Sequence, residues 1–133
     1  MTRVMVFGSF DILHPGHLNL FRQARRYGNR LYVVIARDKN IRKIKGRSPV
    51  YDENARKQSV EKIKFVDLAV LGDIDDPYKI IEKVNPDVIC LGYDQNSFTM
   101  DLGPELRKRG LNPRVVRLRA HRSHRYKSSK LRK

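Results

Sequence analysis

Cysteine is nearly absent: Cys90 stands alone among 133 residues. A single thiol excludes an intramolecular disulfide and a zinc site built from cysteines, and it fits a reducing, intracellular setting. Cys90 lies inside an apolar run, which marks it as a core residue and not a reactive thiol. Long apolar runs are also missing. None approaches the roughly 20 residues that a membrane helix needs, so no membrane partner is expected and the chain should be soluble and cytoplasmic. The start, Met1-Thr2-Arg3-Val4, passes straight into a strand and does not read as a signal peptide. Repeats and linkers are absent, and the whole of 1–133 reads as one domain. Acidic residues run out before the end of the chain. All 14 lie before residue 119, against 22 Lys and Arg there, while the last fifteen residues carry seven Lys and Arg and no acid. The formal charge of +15 implies polyanionic partners: nucleotide phosphates, nucleic acid or an acidic membrane face.

What is present is a regular alternation. Val4 to Gly8 is a short apolar strand. Pro15 to Tyr27 places Leu18, Leu20, Phe21 and Ala24 at near-helical spacing, and Gly28 stands where a helix C-cap belongs. Leu31 to Ala36 is a continuous β-branched run, expected to be central and buried on both faces. Residues 37–50, with Arg37, Arg42, Lys43, Lys45 and Arg47, break the pattern and read as a basic loop. Asp52 is a plausible N-cap for a helix to Ile63. Strands follow at Asp67–Gly72, Asp87–Gly92 and Arg114–Leu118. Helices are expected from Asp76-Pro77 and from Pro104 to Arg109, the latter ended by Gly110. The tail from Arg119 to Lys133 is polar and basic. Strands alternating with helices imply an α/β fold: an open, five-stranded parallel sheet with helices on both faces, in three layers. Ligands of such folds bind beyond the carboxyl ends of the strands, where strand order reverses. Gly8–His17, Gly92–Gln95 and Arg119–Ser129 all fall at strand carboxyl ends.

The most informative segment is Gly8-Ser9-Phe10-Asp11-Ile12-Leu13-His14-Pro15-Gly16-His17. The glycine-rich dinucleotide pattern is missing, since only Gly8 stands in that turn. A helix starting near Pro15 offers backbone N–H groups and the positive end of its dipole to an anion. Gly16, with no Cβ, lets a phosphate approach the backbone. His14 and His17 share one face of the first turn and can donate hydrogen bonds to a phosphate that gains charge during transfer. The same residues also admit two plainer readings, a pair of histidines capping a helix or a metal pair; no third ligand of obvious spacing follows.

The motif Gly8-x-Phe10-Asp11-x-Leu13-His14-x-Gly16-His17 resembles the signature of the HxGH nucleotidyltransferase superfamily, in its cytidylyltransferase-like branch. Arg122-Ser123-His124-Arg125-Tyr126-Lys127-Ser128-Ser129-Lys130-Leu131-Arg132 is similar to that family's C-terminal arginine and I-S-S/T-T-x-I-R/K element, with Tyr126 and Lys127 replacing its usual first two residues. Leu91-Gly92-Tyr93-Asp94-Gln95 resembles its short acidic motif after the fourth strand. The three motifs keep family order across nearly the whole chain. The resemblance implies a Rossmann-like domain, with His14 and His17 as catalytic residues that hold the triphosphate and stabilise the transition state. It places Ser9, Phe10, Pro15, Gly16, Asp94, Arg122, Tyr126, Ser128 and Ser129 around the nucleotide. Lys43 and Lys45 would contact phosphates or the acceptor. No protein metal ligand is implied; a divalent metal, magnesium in the first place, would arrive with the nucleotide. A homodimer is the expected assembly.

The phrase Leu91-Gly92-Tyr93-Asp94-Gln95 and the compact basic chain resemble the archaeal FAD synthases more than the glycerol-phosphate branch. That resemblance favours transfer of AMP from ATP to FMN, giving FAD and pyrophosphate. The alternative is a cytidylyltransferase using CTP and glycerol 3-phosphate or another small phosphorylated alcohol. A basic nucleic-acid-binding domain is the reading from another class. It is disfavoured because no nucleic-acid module is visible and the tail has one aromatic, Tyr126, for base stacking.

Overall fold

The computed structural model describes residues 2–92 and 99–119, with the backbone alone at 99–101. The elements are β1 (Arg3–Gly8), α1 (Pro15–Arg25), β2 (Arg30–Ile35), α2 (Asp38–Lys45), α3 (Glu53–Glu61), β3 (Leu68–Leu71), α4 (Lys79–Val84), β4 (Val88–Leu91), α5 (Thr99–Lys108) and β5 (Arg114–Arg117). The five strands form one sheet in the order β3-β2-β1-β4-β5, and every pairing is parallel. This is the expected α/β sheet.

Alternation within the strands sorts the core into two layers. Val4 and Val6 of β1, Leu31, Val33 and Ile35 of β2, and Val88 and Cys90 of β4 face α1 through Phe21 and Ala24, and α3 through Val60. Met5, Val34, Ile89 and Leu91 face the other way, with Ile81 of α4 and Leu102 and Leu106 of α5. Burial pushes the Cys90 thiol up to about 12, so it is the inert core residue the sequence suggested. β1, not β2, takes the central place. β2 lies between β1 and β3 and still contributes to both layers. Strand order reverses between β1 and β4, so the switch point opens beside the carboxyl end of β1.

Four boundaries differ from the sequence reading. Residues 37–50 are not all loop: Asp38–Lys45 is α2, with Asp38 in its first turn and Ile41 buried. Gly46 closes it in a left-handed conformation, φ 74°, and its N–H donates to the Arg42 carbonyl at 2.8 Å. Gly28 does not cap α1, whose C-cap is Arg26. A Cβ at Gly28 would meet the Thr2 carbonyl at 2.5 Å, so this glycine serves close approach to the chain entering β1. α4 begins two residues beyond Pro77, because Asp73 and Asp76 bind the backbone N–H groups of Asp75, Asp76 and Tyr78 in a turn. α5 starts at Thr99 and carries Pro104 inside it. It ends before Gly110, whose φ is 73°. Asp52 is the N-cap of α3, and its carboxylate accepts from the Ala55 N–H at 2.8 Å.

Candidate active site

β1 ends at Gly8, and the chain turns sharply over it. Phe10 adopts φ 49°, a left-handed conformation that costs a non-glycine residue about 1 kcal/mol or more. Burial of its ring offsets that cost. Phe10 packs on Phe21 at 5.1 Å between centroids and presents an edge-to-face contact to His17 at 5.3 Å. Gly8 is needed beneath it, since a Cβ there would lie 2.7 Å from the ring. A strained backbone at the head of the central strand is a common mark of a functional turn.

α1 begins five residues later with Pro15 at its first position and His14 as N-cap. The His14 ring folds back over the turn, and its Nδ1 accepts a hydrogen bond from the Gly16 N–H at 3.0 Å. In neutral His14 the proton therefore sits on Nε2, where it can be donated outward. Gly16 makes the fold-back possible: a Cβ there would stand 2.7 Å from His14 Cε1. The space beside Gly16 is thus taken by the His14 imidazole in this structure. The expectation of free backbone donors at this terminus is also corrected. Pro15 has none, Gly16 donates to His14, and the N–H groups of His17 and Leu18 both reach the His14 carbonyl. The donors offered to an anion here are imidazoles.

The two imidazoles stack, with centroids 3.9 Å apart and planes inclined by 30°. His14 is exposed, while His17 lies deeper. Burial, and then the neighbouring His14, hold the His17 imidazole down to about 4. It is neutral at physiological pH. Its Nδ1 is buried without a hydrogen-bond partner among the described residues. A neutral imidazole keeps one ring N–H, which can donate to developing negative charge without the ring having to be protonated.

A network missed in the sequence reading fixes the surroundings. Arg56 of α3 has a fully buried side chain. Its guanidinium donates to the Ser9 carbonyl (2.8 Å), the Tyr51 carbonyl (3.0 Å) and Asp38 Oδ1 (2.6 Å). Asp38 and Glu53 accept from each other's backbone N–H groups, and Glu53 also binds Arg37. Burial pushes the Asp38 carboxyl up, but bonds from Arg56 and the Glu53 N–H, with the charges of Arg56 and Arg42, hold it below the usual carboxylate range. Asp11 completes the frame by accepting from the N–H groups of Val50 (2.7 Å) and Tyr51 (2.8 Å). The only sequence hint of Arg56 was its spacing four residues before the core residue Val60, which puts both on one helix face.

The structure brings Ser9, Phe10, His14, Pro15, Gly16 and His17 together at the carboxyl end of β1. Lys43 and Lys45 lie in the last turn of α2, exposed, beyond the carboxyl end of the adjacent strand β2. They were expected on a loop; the helix is closed by Gly46 and fastened at its start by Asp38. Asp94, Arg122, Tyr126, Ser128 and Ser129 lie outside the described residues. The chain leading to the tail is fixed as far as Arg119. Gln23 of α1 accepts from the Arg119 N–H at 3.1 Å and donates to its carbonyl at 3.0 Å. Among the described residues no group of three or more His, Cys, Asp or Glu is placed to hold a metal ion. A cleft of about 320 Å³ beyond β3, lined in part by Arg37, Asp73, Lys79 and Lys83, contains none of the candidate site residues.

Two stacked imidazoles head the helix after the central strand, at the switch point of a parallel sheet, where ligands of such folds bind. The chain belongs to the cytidylyltransferase-like family, whose model matches residues 5–133. It is 49% identical over 121 residues to a FAD synthase of Aciduliprofundum boonei, covering 91% of this chain and 80% of that protein. It is 44% identical to a FAD synthase of Thermoplasma acidophilum, covering 100% of this chain and 93% of the relative. Among solved structures, a lipopolysaccharide core biosynthesis protein of Thermoplasma volcanium superposes with a TM-score of 0.86 at 40% identity, covering 91% of this chain and 98% of that one.

Proposed function

We propose that this enzyme transfers AMP from ATP to the phosphate of FMN, forming FAD and pyrophosphate. The stacked pair His14–His17 at the head of α1 carries the reading of the chemistry. The similarity to FAD synthases over most of the chain supports the choice of substrates. The acceptor brings its own nucleophile. A phosphate monoester has a second pKa of about 6 and is largely ionised at neutral pH. Its oxygen forms a bond to the α-phosphorus of ATP, and the bond from that phosphorus to the bridging oxygen breaks. Pyrophosphate leaves with the bonding electron pair, so no protein nucleophile is required. ATP enters as its magnesium complex, with the metal held mainly by phosphate oxygens and water.

His14 Nε2–H and the His17 imidazole donate to the phosphate oxygens as charge builds on them. Lys43 and Lys45 attract and orient phosphates from α2. Asp94 attends the ribose or base, and Arg122, Tyr126, Ser128 and Ser129 bind the nucleotide, as the family resemblance implies. Arg56 holds the turn that carries these histidines through the Ser9 carbonyl. The protein acts as a homodimer in the cytoplasm. A pyrophosphate-release assay crossing ATP and CTP with FMN, glycerol 3-phosphate, phosphoethanolamine and phosphopantetheine tests the reading. Release is expected with ATP and FMN; release confined to CTP and a small phosphorylated alcohol would replace it with the cytidylyltransferase reading.

A further inference from the structure

Beside the histidine turn the protein leaves apolar side chains in water. Ile12 is 60% exposed, Val50 70% and Tyr51 52%. They come from two segments far apart in sequence, and the Asp11 carboxylate fastens those segments together through the Val50 and Tyr51 N–H groups. Arg56 holds the same stretch from below through the Tyr51 carbonyl. The backbone beneath these side chains is therefore fixed by three hydrogen bonds, two of them to a carboxylate, although their side chains contribute little to the core. A protein with 32% charged residues gains no stability from such exposure. A fixed, partly aromatic surface at the rim of a site is what a flat apolar ligand requires.

We infer that Ile12, Val50 and Tyr51 form the ledge that receives the isoalloxazine ring of the acceptor, with Tyr51 as its aromatic contact. The inference rests on the FMN adenylylation reading and supplies its acceptor subsite. Position and charge both favour this occupant. Ile12 and His14 belong to the same short turn between β1 and α1, and Asp11 of that turn holds Val50 and Tyr51 against it. The segment that leads to Val50 carries Lys43, Lys45 and Arg47, all exposed, which complements the dianionic phosphate of the same ligand. An acceptor without a ring, such as glycerol 3-phosphate, would use the cations and leave the ledge uncovered. The ledge thus selects between acceptors that present the same reacting group.

The test uses the full-length enzyme and the variants Ile12→Ser, Tyr51→Ser and Tyr51→Phe. KM is measured separately for FMN and ATP, with quenching of FMN fluorescence as a binding readout and light scattering for mass. Each serine variant is expected to raise KM for FMN by roughly 3- to 10-fold, the scale of one lost aromatic or apolar contact. KM for ATP should stay within about twofold, and Tyr51→Phe should retain both FMN affinity and quenching. An unchanged KM for FMN in both serine variants, in an enzyme that makes FAD, overturns the ledge and leaves the proposed reaction standing. A shift in mass that accompanies the raised KM assigns the surface to contact between copies and also overturns it. If the wild-type enzyme forms no FAD from ATP and FMN, the reaction and the ledge fail together.

Discussion

His17 holds the most information of any single residue. It is aromatic, ionisable and packed under Phe10, and its imidazole sits at about 4 instead of the ordinary 6.5. That depression has a consequence for stability. A histidine with a lowered folded pKa binds its proton more readily in the unfolded chain. Its stabilising contribution is therefore complete above about pH 6.5 and is lost as pH falls toward 4. The loss should approach about 3 kcal/mol at pH 4, at roughly 1.4 kcal/mol per pKa unit. Urea denaturation of the wild type and of His17→Asn at pH 7, 5.5 and 4 checks this. The difference between the two proteins should shrink, or change sign, as the medium becomes acid; a constant difference would show that His17 is not held neutral by the fold. Gly16 belongs to the same residue-level design. The sequence suggested that it admits a phosphate, whereas the structure shows that it admits the His14 ring.

At the scale of elements, α3 is the piece that holds the site turn and α2 in one frame. Arg56 links Ser9, Tyr51 and Asp38, which belong to the turn after β1, the segment before α3 and the start of α2. Replacing it by Met leaves three acceptors short of a donor. Arg56→Met should cost about 2–3 kcal/mol, below the figure for a fully buried pair because Asp38 keeps some solvent access. Calorimetry measures that cost, and turnover should fall at temperatures where the variant is still folded. Retained turnover in the folded variant would make Arg56 a stability residue alone. Elements of this kind also decided what was legible in the sequence. The strands were readable because β-branched runs such as Leu31–Ile35 are buried on both faces, and α1 because its apolar spacing and Pro15 agree. α2 was not readable, because one buried residue, Ile41, lies among six cationic ones between residues 37 and 47. The Arg56 network was invisible for a related reason: nothing in a sequence distinguishes an arginine that bonds three carbonyl or carboxylate oxygens from one in water.

At the scale of the whole molecule, charge and exposed apolar surface stand out. The net charge of +15 suits a protein that gathers two phosphate-bearing substrates. Leu68 and Val115, on the two edge strands, are each more than two-fifths exposed, and a chain of this size gains stability by covering such surface with a second copy. Light scattering at micromolar concentration should return twice the monomer mass of 15.6 kDa. The monomer mass itself would refute the dimer.

The histidine pair is expected to perform chemistry and not merely to cap α1. Single-turnover kinetics at saturating ATP, with excess enzyme over FMN, tests that directly for wild type, His17→Ala and Lys43→Ala. The wild-type enzyme should convert FMN to FAD. His17→Ala should do so roughly 10² to 10³ times more slowly, the scale of losing one preorganised donor to developing charge, with ATP affinity little changed. Lys43→Ala should show the opposite division, with weaker binding and a nearly intact chemical step. Near-normal turnover by His17→Ala at saturation would contradict a chemical role for the pair and leave His17 as a structural cap.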